Sequence, residues 1–216
     1  MAVAGSMSLA DVTNVRRRIV RSLWLRGRPP LKGSTSPEEL HYLASTAQRT
    51  RARLIGEIGF NAGFSTQVFL TANPAAKVVS FALVEHGYTK VAKEIVDKRF
   101  PGRHTLIAGD STKTVPEFSR QNPDVRFDLF FIHGGNDYEV AKADIENTKA
   151  LCTEQTAVVI DELTPWLKWG EGPTRAWTEA IEQGILRQEE IFQDGKPVPV
   201  PEPPGKRVWA LCRYPI

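Results

Sequence analysis

From Arg53 onward, short apolar runs and helical patterns take turns along the chain, and this alternation is what most restricts the fold. The runs near 53–58, 77–83, 104–108, 127–133 and 156–161 read as strands, and helical spacing predicts helices near 64–72, 87–99, 112–120, 136–150 and 173–184. Strands separated by helices join through right-handed crossovers, so the repeats predict a parallel sheet covered by helices on both faces. The tail then changes character. Residues 185–192 and 207–213 read as two more strands, joined by the proline-rich stretch Lys196 to Gly205 instead of a helix. An adjacent pair without a crossover is antiparallel. The expected fold is α/β, with a seven-stranded, mostly parallel sheet closed by an antiparallel C-terminal hairpin.

The segment Arg53-Leu-Ile-Gly-Glu-Ile-Gly-Phe-Asn-Ala-Gly-Phe-Ser-Thr66 is where this sheet meets a ligand. Leu54, Ile55 and Ile58 supply a buried strand, Gly59 and Gly63 let the backbone turn tightly, and Phe64-Ser65-Thr66 starts a helix. The free N–H groups of a helix start favour a carboxylate-bearing or anionic ligand. The spacing is Glu57-x-Gly59-x-x-x-Gly63, so the G-x-G-x-x-G dinucleotide fingerprint is absent. A carboxylate beside the first glycine opposes a pyrophosphate but accepts hydrogen bonds from a cationic amine.

Upstream, Asp11 to Arg26 carries Val12, Val15, Ile19 and Leu23 on one helical stripe and Arg16, Arg17, Arg18 and Arg21 around it, with Asp11 as a candidate cap. This basic amphipathic helix suits packing on the domain, a lid over a pocket, or contact with an acidic surface. Arg28 to Ser36 is a linker by composition, and Ser36-Pro37-Glu38-Glu39 opens a second helix. Residues 1–50 are therefore expected to form a helical cap segment ahead of one domain spanning 51–216. The chain's 216 residues, 41% apolar and 25% charged content suit one globular domain. A net charge of +3 lacks the dense basic face of a dedicated nucleic-acid binder. Cys152 and Cys212 have no metal-ligand or redox spacing and read as reduced core thiols. No run approaches the about 18 apolar residues of a membrane helix, and Met1 to Ala10 lacks a signal-peptide pattern, so a cytoplasmic location is expected.

The glycine segment resembles motif I of the class I S-adenosylmethionine-dependent methyltransferases, and the strand-end residues and terminal hairpin extend that resemblance over roughly residues 38–216. The chain is similar in particular to the small-molecule O-methyltransferase type, in its motif-24-like branch. The resemblance implies a Rossmann-like methyltransferase fold, S-adenosyl-L-methionine as cofactor, and a cofactor site drawing on Glu57, Gly59, Phe60, Asn61, Gly63 and Ser65. At the end of the second strand the family's ribose-binding acid falls on Ala82, nineteen residues past Gly63. Glu85 reaches the ribose from the loop or is simply a first-turn helix carboxylate. Gly109-Asp110-Ser111 resembles the family's adenine-side motif, and Asp110 is also a good helix cap.

Phe131-Ile-His133-Gly-Gly-Asn136-Asp-Tyr138-Glu139 resembles the family segment Phe-Ile-Asp-Gly-x-His-x-Tyr-Glu, with His133 where the aspartate stands. The fifth strand ends in Asp161-Glu162, where the metal-dependent catechol-type branch carries magnesium ligands. His133, Asp161 and Glu162 are thus the ligand set if a metal is bound, but imidazole suits magnesium poorly and Asn136 stands in the slot of the branch's lysine base. The preferred expectation is metal-independent transfer to a hydroxyl, or an amine, of a small molecule. In it His133 lines the cofactor site and acts as general base, oriented by Asp161. Trp166, Trp169 and Asn136 are the candidate substrate contacts. Alternatives are a metal-dependent catechol-type O-methyltransferase, a nucleic-acid methyltransferase, and a methyltransferase-fold binding protein without catalysis. The expected partners are a small-molecule substrate and a second copy in a homodimer, with no membrane and no nucleic acid.

Overall fold

The computed structural model describes residues 6–29 and 35–216. The linker expected at 28–36 lies mostly outside them. The elements are α1 (Leu9–Trp24), α2 (Pro37–Arg49), β1 (Leu54–Ile58), α3 (Phe64–Ala72), β2 (Lys77–Ala82), α4 (Gly87–Arg99), β3 (His104–Ala108), α5 (Ser111–Gln121), β4 (Leu129–Ile132), α6 (Tyr138–Thr148), β5 (Ala157–Ile160), α7 (Glu171–Glu182), β6 (Arg187–Gln193), β7 (Lys196–Pro197) and β8 (Val208–Arg213). They form one sheet of order β3-β2-β1-β4-β5-β8-β6-β7. The first five are parallel, and β8 runs antiparallel to both β5 and β6. The alternating part and the antiparallel tail are as the sequence predicts.

The sheet has eight strands where seven were expected. The extra one is β7, inside the stretch read as a connector. Asp194 and Gly195 both take positive φ, 49° and 84°, and pair Phe192 with Pro197 and Gln193 with Lys196. A two-residue Asp-Gly loop with left-handed backbone is the turn that a tight hairpin needs.

Each central strand buries both faces. Leu129 and Phe131 of β4, with Val159 and Leu211, belong to the core shared with α1, α2, α3 and α4. Phe130 and Ile132, with Val158, Ile160 and Ala210, belong to the core against α5, α6 and α7. The stripe Val12, Val15, Ile19 and Leu23 is wholly buried in the first of these, so α1 packs on the domain as an integral helix. The helix starts at a complete capping box between Ser8 and Asp11. No helix among the described residues is long and apolar enough to cross a membrane.

Sheet-interior packing leaves no room at Gly56, which pairs with Val79 on one side and Phe130 on the other. A Cβ there would collide with the Phe130 ring. Gly56→Ala is expected to lower unfolding free energy by about 1–3 kcal/mol through overpacking. An unchanged urea midpoint would show that the ring yields freely.

Candidate active site

β1 is flanked by β2 and β4, so the chain leaves the sheet centre in opposite directions on its two sides. This is the switch point at which open α/β sheets bind ligands. A cavity of about 640 Å³ opens there, at the carboxyl ends of β1 to β4. Gly59, Phe60, Asn61, Ser65, Glu85, Gly109, Asp110, Ser111, His133, Asn136 and Glu162 line it, as does Ala82 in the acid slot. Glu57, Gly63, Asp161, Trp166 and Trp169 are not in its wall.

Glu57 does not face the cavity. It is wholly buried, and its carboxylate accepts hydrogen bonds from Ser65 Oγ (2.7 Å), Ser80 Oγ (2.6 Å) and Thr66 Oγ1. Burial pushes its pKa above the usual carboxylate range, and the three hydroxyls pull it back. It therefore holds the turn from below, and the direct amine contact expected of it is replaced by this clamp. Gly59, at φ 97°, carries no Cβ for a related reason: one would strike the carbonyl oxygen of His133. Gly63 caps α3 with φ 72° and against the Phe60 ring, so it shapes the turn from behind the wall. The α3 N-terminus has no side-chain cap, and Phe64 and Ser65 at its first positions face the cavity. Its backbone donors are thus available to a carboxylate.

Asp110 caps α5: its Oδ1 accepts from Thr112 N (3.0 Å) and Thr112 Oγ1 (2.7 Å). Those bonds hold its pKa below the usual value. One carboxylate oxygen remains turned toward Lys113, 3.6 Å away.

At the other end of the cavity stands His133. Its Nδ1 lies 3.4 Å from Asp161 Oδ2 and its Nε2 lies 3.5 Å from Glu162 Oε1. Burial opposes its charge, but the Asp161 carboxylate, the Glu162 hydrogen bond and the Glu162 charge prevail over it and over Arg207, raising the imidazole pKa to about 9. Glu162 has left-handed backbone, φ 64°, and its N–H donates to Asp161 Oδ1 (2.6 Å). Its other oxygen accepts from Asn136 Nδ2, which also donates to the Trp169 carbonyl at 2.8 Å.

The two expected substrate tryptophans lie elsewhere. Trp166 packs in the second core with its indole N–H donating to the Gly205 carbonyl at 2.6 Å, and Trp169, a residue 47% exposed, meets Asn136 through its main-chain carbonyl. Loop position alone did not reveal that partner for Trp166. A residue that the sequence reading missed is Glu39 of α2, wholly buried and facing Asp161. The sequence placed it only in the segment that opens the second helix.

As for a metal, both imidazole nitrogens of His133 are directed at carboxylates, and the described residues contain no group of three or more His, Cys, Asp or Glu arranged to hold one. The donor set does not fit a cation as it stands.

Residues 57–163 match the family model of a methyltransferase domain, a span from the glycine turn to just beyond Glu162. No curated protein matches the chain by sequence. Among solved structures, the O-methyltransferase from Bacillus cereus in complex with SAH superposes with a TM-score of 0.73 at 16% identity, covering 93% of this chain and 90% of that one. SAH-bound Podospora anserina methyltransferase PaMTH1 gives 0.70 at 17% identity, over 94% and 88%. The O-methyltransferase TomG from Streptomyces achromogenes, in complex with SAM, gives 0.69 at 16%, over 93% and 89%. Residues 57–163 are thus similar to the methyltransferase-domain family, and the chain has the fold of the S-adenosylmethionine-dependent O-methyltransferases.

Proposed function

We propose that the protein transfers a methyl group from S-adenosyl-L-methionine to a hydroxyl oxygen of a small molecule without a metal ion, with His133 as general base. The observation that carries this reading is an imidazole at the cavity wall held between two carboxylates. The cavity also suits the cofactor: it is large enough, it mixes aromatic and polar wall, and it includes an uncapped helix start for a carboxylate. Gly59, Phe60, Asn61 and Ser65 would hold the amino-acid end, and Glu85, Gly109, Asp110 and Ser111 the nucleoside. When bound, S-adenosyl-L-methionine supplies a methyl carbon activated by a sulfonium.

The chain's own task is to align an acceptor oxygen and remove its proton. The proton moves from the hydroxyl to Nε2 of neutral His133, where the acceptor takes the place that Glu162 holds in the free protein, while Nδ1–H is held by Asp161. With the imidazole pKa near 9, about 1 molecule in 100 carries the neutral form at pH 7. The same shift makes that neutral form a stronger base, close to the pKa of about 10 of a phenol. Glu162 and Asn136 border the acceptor end and are the side chains placed to select it.

The base form grows as pH rises toward 9. Turnover of phenolic acceptors such as catechol, followed as S-adenosylhomocysteine released, is therefore expected to increase about tenfold per pH unit from 6 to 8 and to level off above about 9. A profile flat across that range removes His133 from the role. His133→Ala is expected to cut turnover about 100-fold or more with calorimetric S-adenosylhomocysteine affinity little changed; equal turnover would refute the assignment.

A second consequence concerns the turn. Gly59→Ala forces the β1 and β4 loops apart at the His133 carbonyl, and S-adenosylhomocysteine affinity is expected to fall at least about tenfold by calorimetry. Unchanged affinity would place the ligand elsewhere.

A further inference from the structure

We propose that the acceptor carries a positive charge, as in a phenol with an amine-bearing arm, and that the Asp137 carboxylate receives that charge. The proposal rests on the reading of the cavity as a methyl-transfer site and names the class of small molecule that enters it.

The formal charges on the cavity wall are nearly all of one sign. Glu85, Asp110, Asp137 and Glu162 line it, and no lysine or arginine among the described residues does. A site built for a phosphate or carboxylate presents arginine, lysine or converging N–H groups. The donors at the α3 start are taken up by the carboxylate of the cofactor, so a second anion at the acceptor end would meet carboxylates in place of donors. A cation there is attracted.

The four acids are not equally available. Asp110 caps α5 through Thr112 and stands 3.6 Å from Lys113. Glu162 is held at His133 and Asn136. Glu85 follows β2, on the nucleoside side. Asp137, which lines the cavity beside Asn136, makes no hydrogen bond or ion pair through its side chain among the described residues.

Asp137 is the N-cap residue of α6, where an aspartate ordinarily accepts from the N–H groups of its own helix, as Asp110 does at α5. Its backbone has the usual cap conformation, φ −70° and ψ 139°, yet its carboxylate makes no such bond. The turn that carries it is fixed from outside: a Cβ on Gly172 would strike the Asn136 carbonyl oxygen and the Tyr138 nitrogen, so the start of α7 lies directly against it. An uncommitted carboxylate is thereby presented on a well-packed turn. Four residues separate it from His133, at most about 14 Å between their Cα atoms. One aromatic ring with a short arm fits this span, its hydroxyl at the imidazole and its amine at Asp137.

Tyramine, tyrosol and 4-hydroxyphenylacetate test the assignment, since each is a phenol with a short arm, ending in an ammonium, a hydroxyl and a carboxylate respectively. Their binding to the whole chain saturated with S-adenosylhomocysteine is measured by calorimetry at pH 7 and low salt. Tyramine is expected to bind about three- to fivefold more tightly than tyrosol, the range of an exposed ion pair. The carboxylate probe is expected to bind at least about tenfold more weakly than tyramine. Asp137→Asn keeps the shape of the side chain and is expected to bring the tyramine-to-tyrosol ratio to about one, as is about 0.5 M salt in wild type. A structural role alone would weaken all three probes alike and leave the ratio unchanged. Equal affinities in wild type, tighter binding of the carboxylate, no binding of tyramine, or an unchanged ratio in Asp137→Asn each overturn the proposal; should that variant not fold, a ratio insensitive to salt overturns it. Failure to bind S-adenosylhomocysteine removes the cofactor reading and the proposal with it. The expected selectivity without methyl transfer to tyramine supports the proposal and counts against the base assignment alone.

Discussion

Burial takes water from the carboxylate of Glu57, and the hydroxyls of Ser65, Thr66 and Ser80 stand in for it. The cofactor half of the site depends on this substitution. Ser65 and Thr66 belong to the first turn of α3, so their bonds draw the helix start onto β1 and leave its main-chain donors uncapped. Ser80 has one O–H, which Glu57 uses; the 2.8 Å contact to His104 is then a bond donated by His104 Nε2. That imidazole is held neutral, its pKa lowered to about 4 by burial first, and it stacks on Phe60 in the turn at 4.8 Å. Strand, helix start and turn are thus connected through a single acid that never reaches the cavity.

A different balance governs the acceptor end. Here β4 runs into His133, and the next strand ends in two carboxylates, Asp161 and Glu162. A cationic ring between two anions offsets one of their two charges, whereas three acids at the same points would need a metal or several protons. The sequence at one strand end and the sequence at the next are therefore consistent with each other: the histidine relieves the repulsion that Asp161 and Glu162 would otherwise meet. α2 adds a third acid, Glu39, buried beside Asp161.

Much of the fold was legible because its signals are local. Strand–helix alternation, the glycine turn and the α1 stripe each depend on spacings within a few residues, and the structure reproduces them. β7 also had a local signal, Asp194-Gly195, which the surrounding prolines obscured. The insertion of β8 between β5 and β6 had none, since strand order is set by pairing between distant segments. The site was less legible for the same reason. Glu57 sits two residues before Gly59, which lines a cavity, yet strand alternation points its side chain beneath the turn. Trp166 found a carbonyl thirty-nine residues away, and Glu39 found Asp161 across the sheet edge.

The loop after β5 shows how local strain secures long-range geometry. Glu162 is not glycine, yet it adopts φ 64°, a conformation that costs about 1–3 kcal/mol and persists only where neighbours hold it. Its N–H is fixed by Asp161, its side chain by Asn136, and Asn136 by the Trp169 carbonyl. In an extended conformation the Glu162 side chain would leave the ring, and His133 would keep one carboxylate in place of two. The strained turn therefore keeps a second carboxylate at the ring beside Asp161, whose charge is the larger influence, and Asn136 holds that second carboxylate from the opposite loop.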